Sequence, residues 1–179
     1  MKIAVADLDF ELLIPYGQLE KRTKELAKQI GEDYEGRSPI IAGILTGSFL
    51  FVADLVKNME IPVEITFTKL ASYFGGTSSS RKIRDDFDLT IDIKGRHLIL
   101  VEDIVDTGNT LHYLVDKLRV REPASITVCT LLLKPKAIEV SIEELKYVGF
   151  EIENEFVVGY GLDYREQGRG LMGIYKRVG

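Results

Sequence analysis

The sequence predicts an α/β domain built on a mainly parallel sheet. Strand-like and helix-like stretches alternate along the chain, which is the pattern of that class. Three stretches, PIIAGIL at 39–45, HLILV at 97–101 and SITVCTLLLK at 125–134, are continuous apolar runs of the kind that strands buried on both faces show. With 179 residues, 45% of them hydrophobic, the chain can bury one sizeable core and is read as a single domain, 1–179.

In chain order, residues 15–30 predict an amphipathic helix. Pro15 suits a first turn, and Leu19, Leu26 and Ile30 share a face among Lys, Arg and Glu. The run 39–45 is a strand, TGS a turn, and FLFVADLVKNM at 49–59 a second helix. PVEITFTKL at 62–70 alternates and predicts a strand. The polar stretch 72–94 has little apolar period and is long for a loop in a compact domain, a length that is usually functional or disordered. HLILV is the next strand, ending in EDIVDTGNT, and LHYLVDKLRV at 111–120 returns to helical spacing. After the strand 125–134, FVVGYGLDY at 156–164 and LMGIYKRV at 171–178 predict further short strands. Strand, turn, helix and strand without a break imply right-handed parallel crossovers. Ligands in such sheets bind outside the carboxyl ends of the strands, which directs attention to 46–48, 102–110, 134–136 and 159–169.

Composition narrows the functions. There are 23 basic and 28 acidic residues, a formal net charge of −5, and a nucleic-acid groove needs a basic face. The one cysteine, Cys129, excludes an internal disulfide and a four-cysteine zinc site. His97 and His112 lack partners at ligand spacing, so both are expected to be structural, as is the mid-strand thiol of Cys129. No apolar run reaches the ~20 residues of a membrane span. Asp7, Asp9 and Glu11 interrupt the N-terminus where a secretory signal would be apolar. The expectation is a cytoplasmic protein.

The richest segment is VEDIVDTGNT at 101–110. An apolar strand delivers the adjacent carboxylates Glu102 and Asp103, followed by a turn with Asp106, Thr107, Gly108, Asn109 and Thr110 and then a helix. Backbone amides at a helix start, with threonine hydroxyls, form an anion cradle. Vicinal carboxylates at a strand end suit sugar hydroxyls or a hydrated Mg²⁺. Together they have the shape of a ribose-5-phosphate seat. Thr107 as a simple helix cap explains one residue; it leaves three carboxylates within five positions unexplained. Asp-Thr-Gly is also the triplet of aspartic proteases, whose chemistry needs two such aspartates in a β-rich fold; this chain has one copy, between a strand and a helix.

VEDIVDTGNT resembles the phosphoribosyl-diphosphate signature of the type I phosphoribosyltransferases. GILTGSFLFVADL at 43–55, Ser72-Tyr73, Leu131 to Lys134, and FVVGYGLDYREQGR at 156–169 resemble the hypoxanthine phosphoribosyltransferases, in the same order. The resemblance implies a parallel sheet flanked by helices, a small hood and a mobile lid loop. It implies Mg²⁺-dependent transfer of phosphoribose from 5-phosphoribosyl 1-diphosphate to N9 of hypoxanthine or guanine, giving IMP or GMP, by a homodimer or homotetramer.

It also implies roles. Glu102 and Asp103 would hold the ribose hydroxyls, directly or through Mg²⁺. Thr107, Gly108, Asn109 and Thr110 would seat the 5-phosphate, and Asp106 would face purine N7 as general base. Lys134 would donate to the 6-oxo group. Phe156 would stack on the ring, and the backbone of Val157 would bond the base edge. Asp163 would bind a second Mg²⁺, and Arg169 would clamp diphosphate. Leu45, Thr46 and Gly47 would offer backbone amides to diphosphate, often through a cis peptide; Thr46 departs from the usual Lys or Arg. Ser72 and Tyr73 would belong to the lid that shields the reaction from water. A non-catalytic, nucleic-acid-binding regulator on the same fold is the rival reading; the base-side residues Asp106, Lys134, Phe156 and Asp163 disfavour it.

Overall fold

The three continuous apolar runs lie side by side at the centre of one sheet. The computed structural model describes residues 2–72, 83–87 and 89–179. In chain order the elements are β1 (Lys2–Val5), β2 (Leu8–Ile14), α1 (Tyr16–Asp33), β3 (Ile40–Leu45), α2 (Phe49–Lys57), β4 (Glu64–Ser72), β5 (Ile83–Phe87), β6 (His97–Val105), α3 (Asn109–Arg119), β7 (Ser125–Leu133), a 3₁₀ turn (Pro135–Ala137), β8 (Leu145–Glu151), β9 (Val157–Val158) and β10 (Ile174–Arg177).

The main sheet runs β5-β4-β3-β6-β7-β8, with β4, β3, β6, β7 and β8 parallel and β5 antiparallel at the edge. Alternate residues of each central strand face opposite layers. Ile41, Ile99, Val101 and Cys129 pack with Leu19, Leu26 and Ile30 of α1 and Phe51 and Leu55 of α2. Ile40, Ala42, Leu98, Leu100 and Val128 pack instead with Leu111, Leu114, Val115 and Leu118 of α3. Helices on both faces are why these strands carry no polar alternation. A second, antiparallel sheet, β1-β2-β10-β9, joins the two ends of the chain.

The structure departs from the sequence reading at several points. The N-terminal hairpin β1–β2 turns at Ala6, which has a φ of +51°; its acidic residues hide the alternation. The edge strand β8 follows β7 in parallel with only the 3₁₀ turn on the way, so that crossover carries no α-helix. The predicted strand 156–164 is reduced to Val157–Val158, because Gly159, Tyr160 and Gly161 take positive φ of 103°, 49° and 104°. Conversely β6 runs on to Val105, so Glu102 and Asp103 stand within the strand's last residues.

Because β3, β6 and β7 are parallel, their carboxyl ends open on one edge of the sheet. The segments 46–48, 106–110 and 134–136 therefore emerge together. Behind them His97 and Cys129 are structural in their contacts, whereas His112 lies half exposed on α3 beside Asp116 at 3.4 Å. His97 bonds Ser125 Oγ at 2.8 Å and meets the Tyr34 ring edge-on. Cys129 is buried, with its thiol pushed up to about 12 by desolvation.

Candidate active site

A cleft of about 530 Å³ opens at that edge, a size suited to a small ligand. Its wall brings together Leu45, Thr46, Gly47, Glu102, Asp103, Asp106, Thr107, Gly108, Thr110, Asp163 and Arg169, all singled out from the sequence. Asn109 stands just behind it, and Lys134 is bonded to it through Asp106. Phe156 and Val157 precede Asp163 on one segment but are not part of the wall. Ser72 ends β4; Tyr73 lies outside the described residues. Lys69 and Glu166 also line the cleft. The reading of the sequence passed over both, although they lie at a predicted strand end and within 159–169.

The segment 105–110 is built as an anion cradle. Gly108 takes a φ of +86° and ends where α3 begins. A Cβ there would lie 2.5 Å from Val140 O, so both the backbone angle and the close approach demand glycine. Thr107 O accepts from the backbone N–H of Glu139 and of Val140, at 2.9 and 3.2 Å. Asn109 Nδ2 donates to Thr107 Oγ1 at 3.0 Å and to Glu139 Oε2 at 2.8 Å. The turn is thus propped from below, while the first-turn amides of α3 have no intrahelical acceptor.

Beside the cradle, Asp106 is half exposed and accepts from Lys134 Nζ at 3.1 Å. Lys134 is only 8% exposed, so its charge is held inside the protein and directed at this carboxylate. Its own N–H donates to Val105 O at 3.0 Å, which fixes the end of β7 against the end of β6.

Glu102 and Asp103 form the most strained electrostatic feature. Glu102 Oε2 is buried without a hydrogen-bond partner. Burial, and then the negative charge of Asp103, holds the Glu102 carboxyl well above the usual carboxylate range. Burial also raises Asp103, opposed first by a hydrogen bond from the Glu102 side chain, then by the bond its Oδ1 accepts from Ile104 N at 2.9 Å and by the charge of Arg169. A cation or a hydrogen-bond donor arriving here relieves both groups.

The opposite wall comes from 45–48 and 159–169. The Leu45–Thr46 peptide is cis. A Cβ on Gly47 would overlap Asp103 Oδ2, and one on Gly161 would overlap Gly47 O. Tyr160, buried beneath, donates from its hydroxyl to Asp54 Oδ2 of α2 at 2.7 Å. Arg169 donates to Gly161 O at 2.9 Å and pairs with Asp163 Oδ1 at 2.8 Å and Glu166 Oε2 at 3.0 Å. Phe156 is 46% exposed, and its ring meets Tyr164 edge-on at 5.7 Å and Phe10 at 6.2 Å.

Comparison with known proteins agrees with this geometry. Residues 15–165 match the Phosphoribosyl transferase domain family. The chain is 47% identical over 168 residues to a hypoxanthine-guanine phosphoribosyltransferase of Streptococcus pneumoniae, covering 93% of each chain. It is 45% identical over 171 residues to a hypoxanthine phosphoribosyltransferase of Haemophilus influenzae, covering 94% of this chain and 95% of that one. The crystal structure of a hypoxanthine-guanine phosphoribosyltransferase from Bacillus anthracis superposes with a TM-score of 0.88 at 40% identity, over 94% of this chain and 98% of that one. A parallel sheet flanked on both faces by helices is thus shared along nearly the whole length, and the chain belongs to the hypoxanthine phosphoribosyltransferase family.

Proposed function

We propose that this protein is a purine-salvage enzyme that transfers phosphoribose from 5-phosphoribosyl 1-diphosphate to N9 of hypoxanthine or guanine, giving IMP or GMP and diphosphate. The observation that carries the reading is the position of Asp106. It stands between the anion cradle 107–110 and the buried Lys134, to which it is bonded at 3.1 Å. A phosphoribosyl group seated by its 5-phosphate in the cradle and a purine presenting its N7 and 6-oxo edge to Asp106 and Lys134 then meet at C1.

In this reading the bond from C1 to the diphosphate oxygen breaks with its electron pair leaving on diphosphate, and the bond from C1 to N9 forms. The purine loses one proton, and Asp106, facing N7, accepts it or stabilises its departure. Lys134 donates to the 6-oxo group. A 6-amino purine offers no acceptor there and leaves one donor of the buried Lys134 ammonium unused beside its bond to Asp106, which is how such a site selects. Phe156 provides the stacking face, held by Tyr164 and Phe10, and the backbone of Val157 bonds the base edge. Leu45, Thr46, Gly47 and Arg169 take the diphosphate side. Ser72 and Tyr73 begin the segment that excludes water.

The carboxylates fit Mg²⁺. They are hard oxygen donors, and the orphaned buried Glu102 Oε2 beside Asp103 is a site in need of positive charge. Mg²⁺ usually keeps several waters and binds through one or two carboxylates plus substrate phosphates. Glu102 and Asp103 on the ribose side and Asp163 on the diphosphate side would hold it. Bound there, Mg²⁺ supplies charge that balances the donor's phosphate oxygens and the leaving diphosphate.

The same reading makes the protein a cytoplasmic homodimer or homotetramer. The experiment that tests the function offers hypoxanthine, guanine, xanthine and adenine separately with 5-phosphoribosyl 1-diphosphate and Mg²⁺ and follows nucleotide formation. Turnover of a 6-oxopurine but not of adenine is expected; turnover of adenine alone, or of none, overturns it.

A further inference from the structure

Among the described residues the cleft wall carries five carboxylates, from Glu102, Asp103, Asp106, Asp163 and Glu166, against two cationic side chains, Lys69 and Arg169. A ligand rich in phosphate oxygens meets an excess of like charge, so each cation matters. Arg169 is already committed to Gly161 O, Asp163 Oδ1 and Glu166 Oε2. Lys69 is not. It is exposed, and among the described residues it has no hydrogen-bond or ion-pair partner.

Its placement is set by the sheet. In the parallel ladder of β3 and β4, Lys69 is the register partner of Leu45. It therefore stands level with the peptide that leads into Thr46 and Gly47, on the same stretch of wall. Thr46 itself brings no charge to that loop. A flexible four-carbon stem ending in a point charge can follow phosphate oxygens without the fixed fork that a guanidinium requires. Among the described residues no ion pair of Lys69 competes with its attraction for an incoming anion.

We propose that Lys69 is a diphosphate-binding residue, supplying from β4 the free cation that the loop 45–47 lacks. The assignment rests on the phosphoribosyl-transfer reading and adds to it a ligand contact from a strand outside the recognised motifs. It makes Lys69 a contributor to donor binding and diphosphate release, with no part in holding the base.

The test is isothermal titration of magnesium diphosphate into the full chain, its Lys69→Ala variant and its Lys69→Arg variant, at two salt concentrations. Lys69→Ala should bind roughly tenfold more weakly than the parent at low salt, about 1.4 kcal/mol, and its affinity should fall less steeply with salt. Lys69→Arg should stay within about threefold of the parent, because the charge remains. The KM for hypoxanthine should not change in either variant. Equal diphosphate affinity of the parent and Lys69→Ala overturns the role of Lys69 while leaving the transferase reading standing. A parent chain that turns over no purine and binds no magnesium diphosphate overturns that reading, and the role of Lys69 with it.

Discussion

Gly47→Ala tests whether the cleft depends on backbone contact between its two walls. Gly47 lies outside the positive-φ region, so alanine suits the backbone and the whole effect comes from one methyl group. That methyl overlaps Asp103 Oδ2 and lies 2.5 Å from Asp103 Cγ. Relief requires Asp103 to move by on the order of 1 Å, and at least one hydrogen bond, Ile104 N to Asp103 Oδ1 at 2.9 Å, is lost or weakened. The bond is worth about 1 kcal/mol and over-packing costs about 1–3 kcal/mol. Moving Asp103 away from Glu102 relieves the Glu102 carboxyl but gives up the Glu102 hydrogen bond that favours the ionised Asp103, so these two effects oppose each other. Stability to urea should therefore fall by about 2–4 kcal/mol. Activity of the folded enzyme should fall on the order of 100-fold, because a ~1 Å displacement at a reacting centre costs about that much. The assay is initial-rate IMP formation with hypoxanthine saturating and the phosphoribosyl donor varied, beside a urea titration. Gly31→Ala in α1 is the control: nothing lies within 4 Å of the added carbon, and a helical Gly→Ala exchange stabilises by about 0.5–1 kcal/mol. A Gly47→Ala enzyme with kcat/KM for the donor near that of the parent would refute the reasoning.

Three further outcomes follow from the geometry. Asp106→Asn keeps the carbonyl that accepts from Lys134 but removes the base, so kcat should fall about 100-fold or more with the thermal midpoint little changed; an undiminished kcat with both hypoxanthine and guanine excludes the proton-accepting role. Lys134→Ala removes a buried donor worth about 1.5–3 kcal/mol, so the KM for the base should rise more than the KM for the donor, as two-substrate kinetics would show. Asp33, at the end of α1, has its pKa lowered by the Lys146 and then the Tyr147 hydrogen bonds. Its stabilisation is therefore complete above the unfolded value of about 3.9 and is lost as the pH falls through the lower folded value. Asp33→Asn should accordingly be less stable than the parent near neutrality and should converge with it in acid; a difference that stays constant from pH 7 to pH 2 contradicts the assignment.

Much of this architecture is legible in the sequence, because the elements concerned announce themselves locally. Leu19, Leu26 and Ile30 recur at helical spacing, and all three are buried on α1. The apolar runs of β3, β6 and β7 are continuous because helices cover both faces. VEDIVDTGNT is legible as a site because a strand end, a turn and a helix start are consecutive in sequence, so one segment contains a whole subsite. What stays hidden depends on partners far away in the chain. β8 buries Tyr147 but otherwise reads as a charged edge, LKYVGFE, and its carbonyls at Val148 and Gly149 are satisfied by Arg22 of α1 at 2.8 and 3.0 Å. FVVGYGLDY has the composition of a strand, yet three consecutive positive φ angles turn it away after Val158. Lys69 gains meaning only from its register with Leu45.

The meeting of the two walls is the part of the site that side-chain motifs cannot convey. Gly47 lies against Asp103, and Gly161 lies against Gly47 O, so three segments distant in sequence touch where no Cβ intervenes. The close approach is fastened from both sides. On the outside, Arg169 bridges Gly161 O and Asp163. On the inside, the buried Tyr160 hydroxyl holds Asp54 of α2, the helix that grows directly out of the loop containing Gly47. The carboxylates of Glu102 and Asp103 stand next to this junction on β6, a strand enclosed by β3 and β7. Their burial, and the charge of Asp103 acting on Glu102, oppose folding, and the two apolar layers packed on β6 offset that cost. The fold therefore places acidic groups where they are least stable alone, in a wall too closely fitted to let them turn away, and a positively charged ligand complex is what such a wall is arranged to receive.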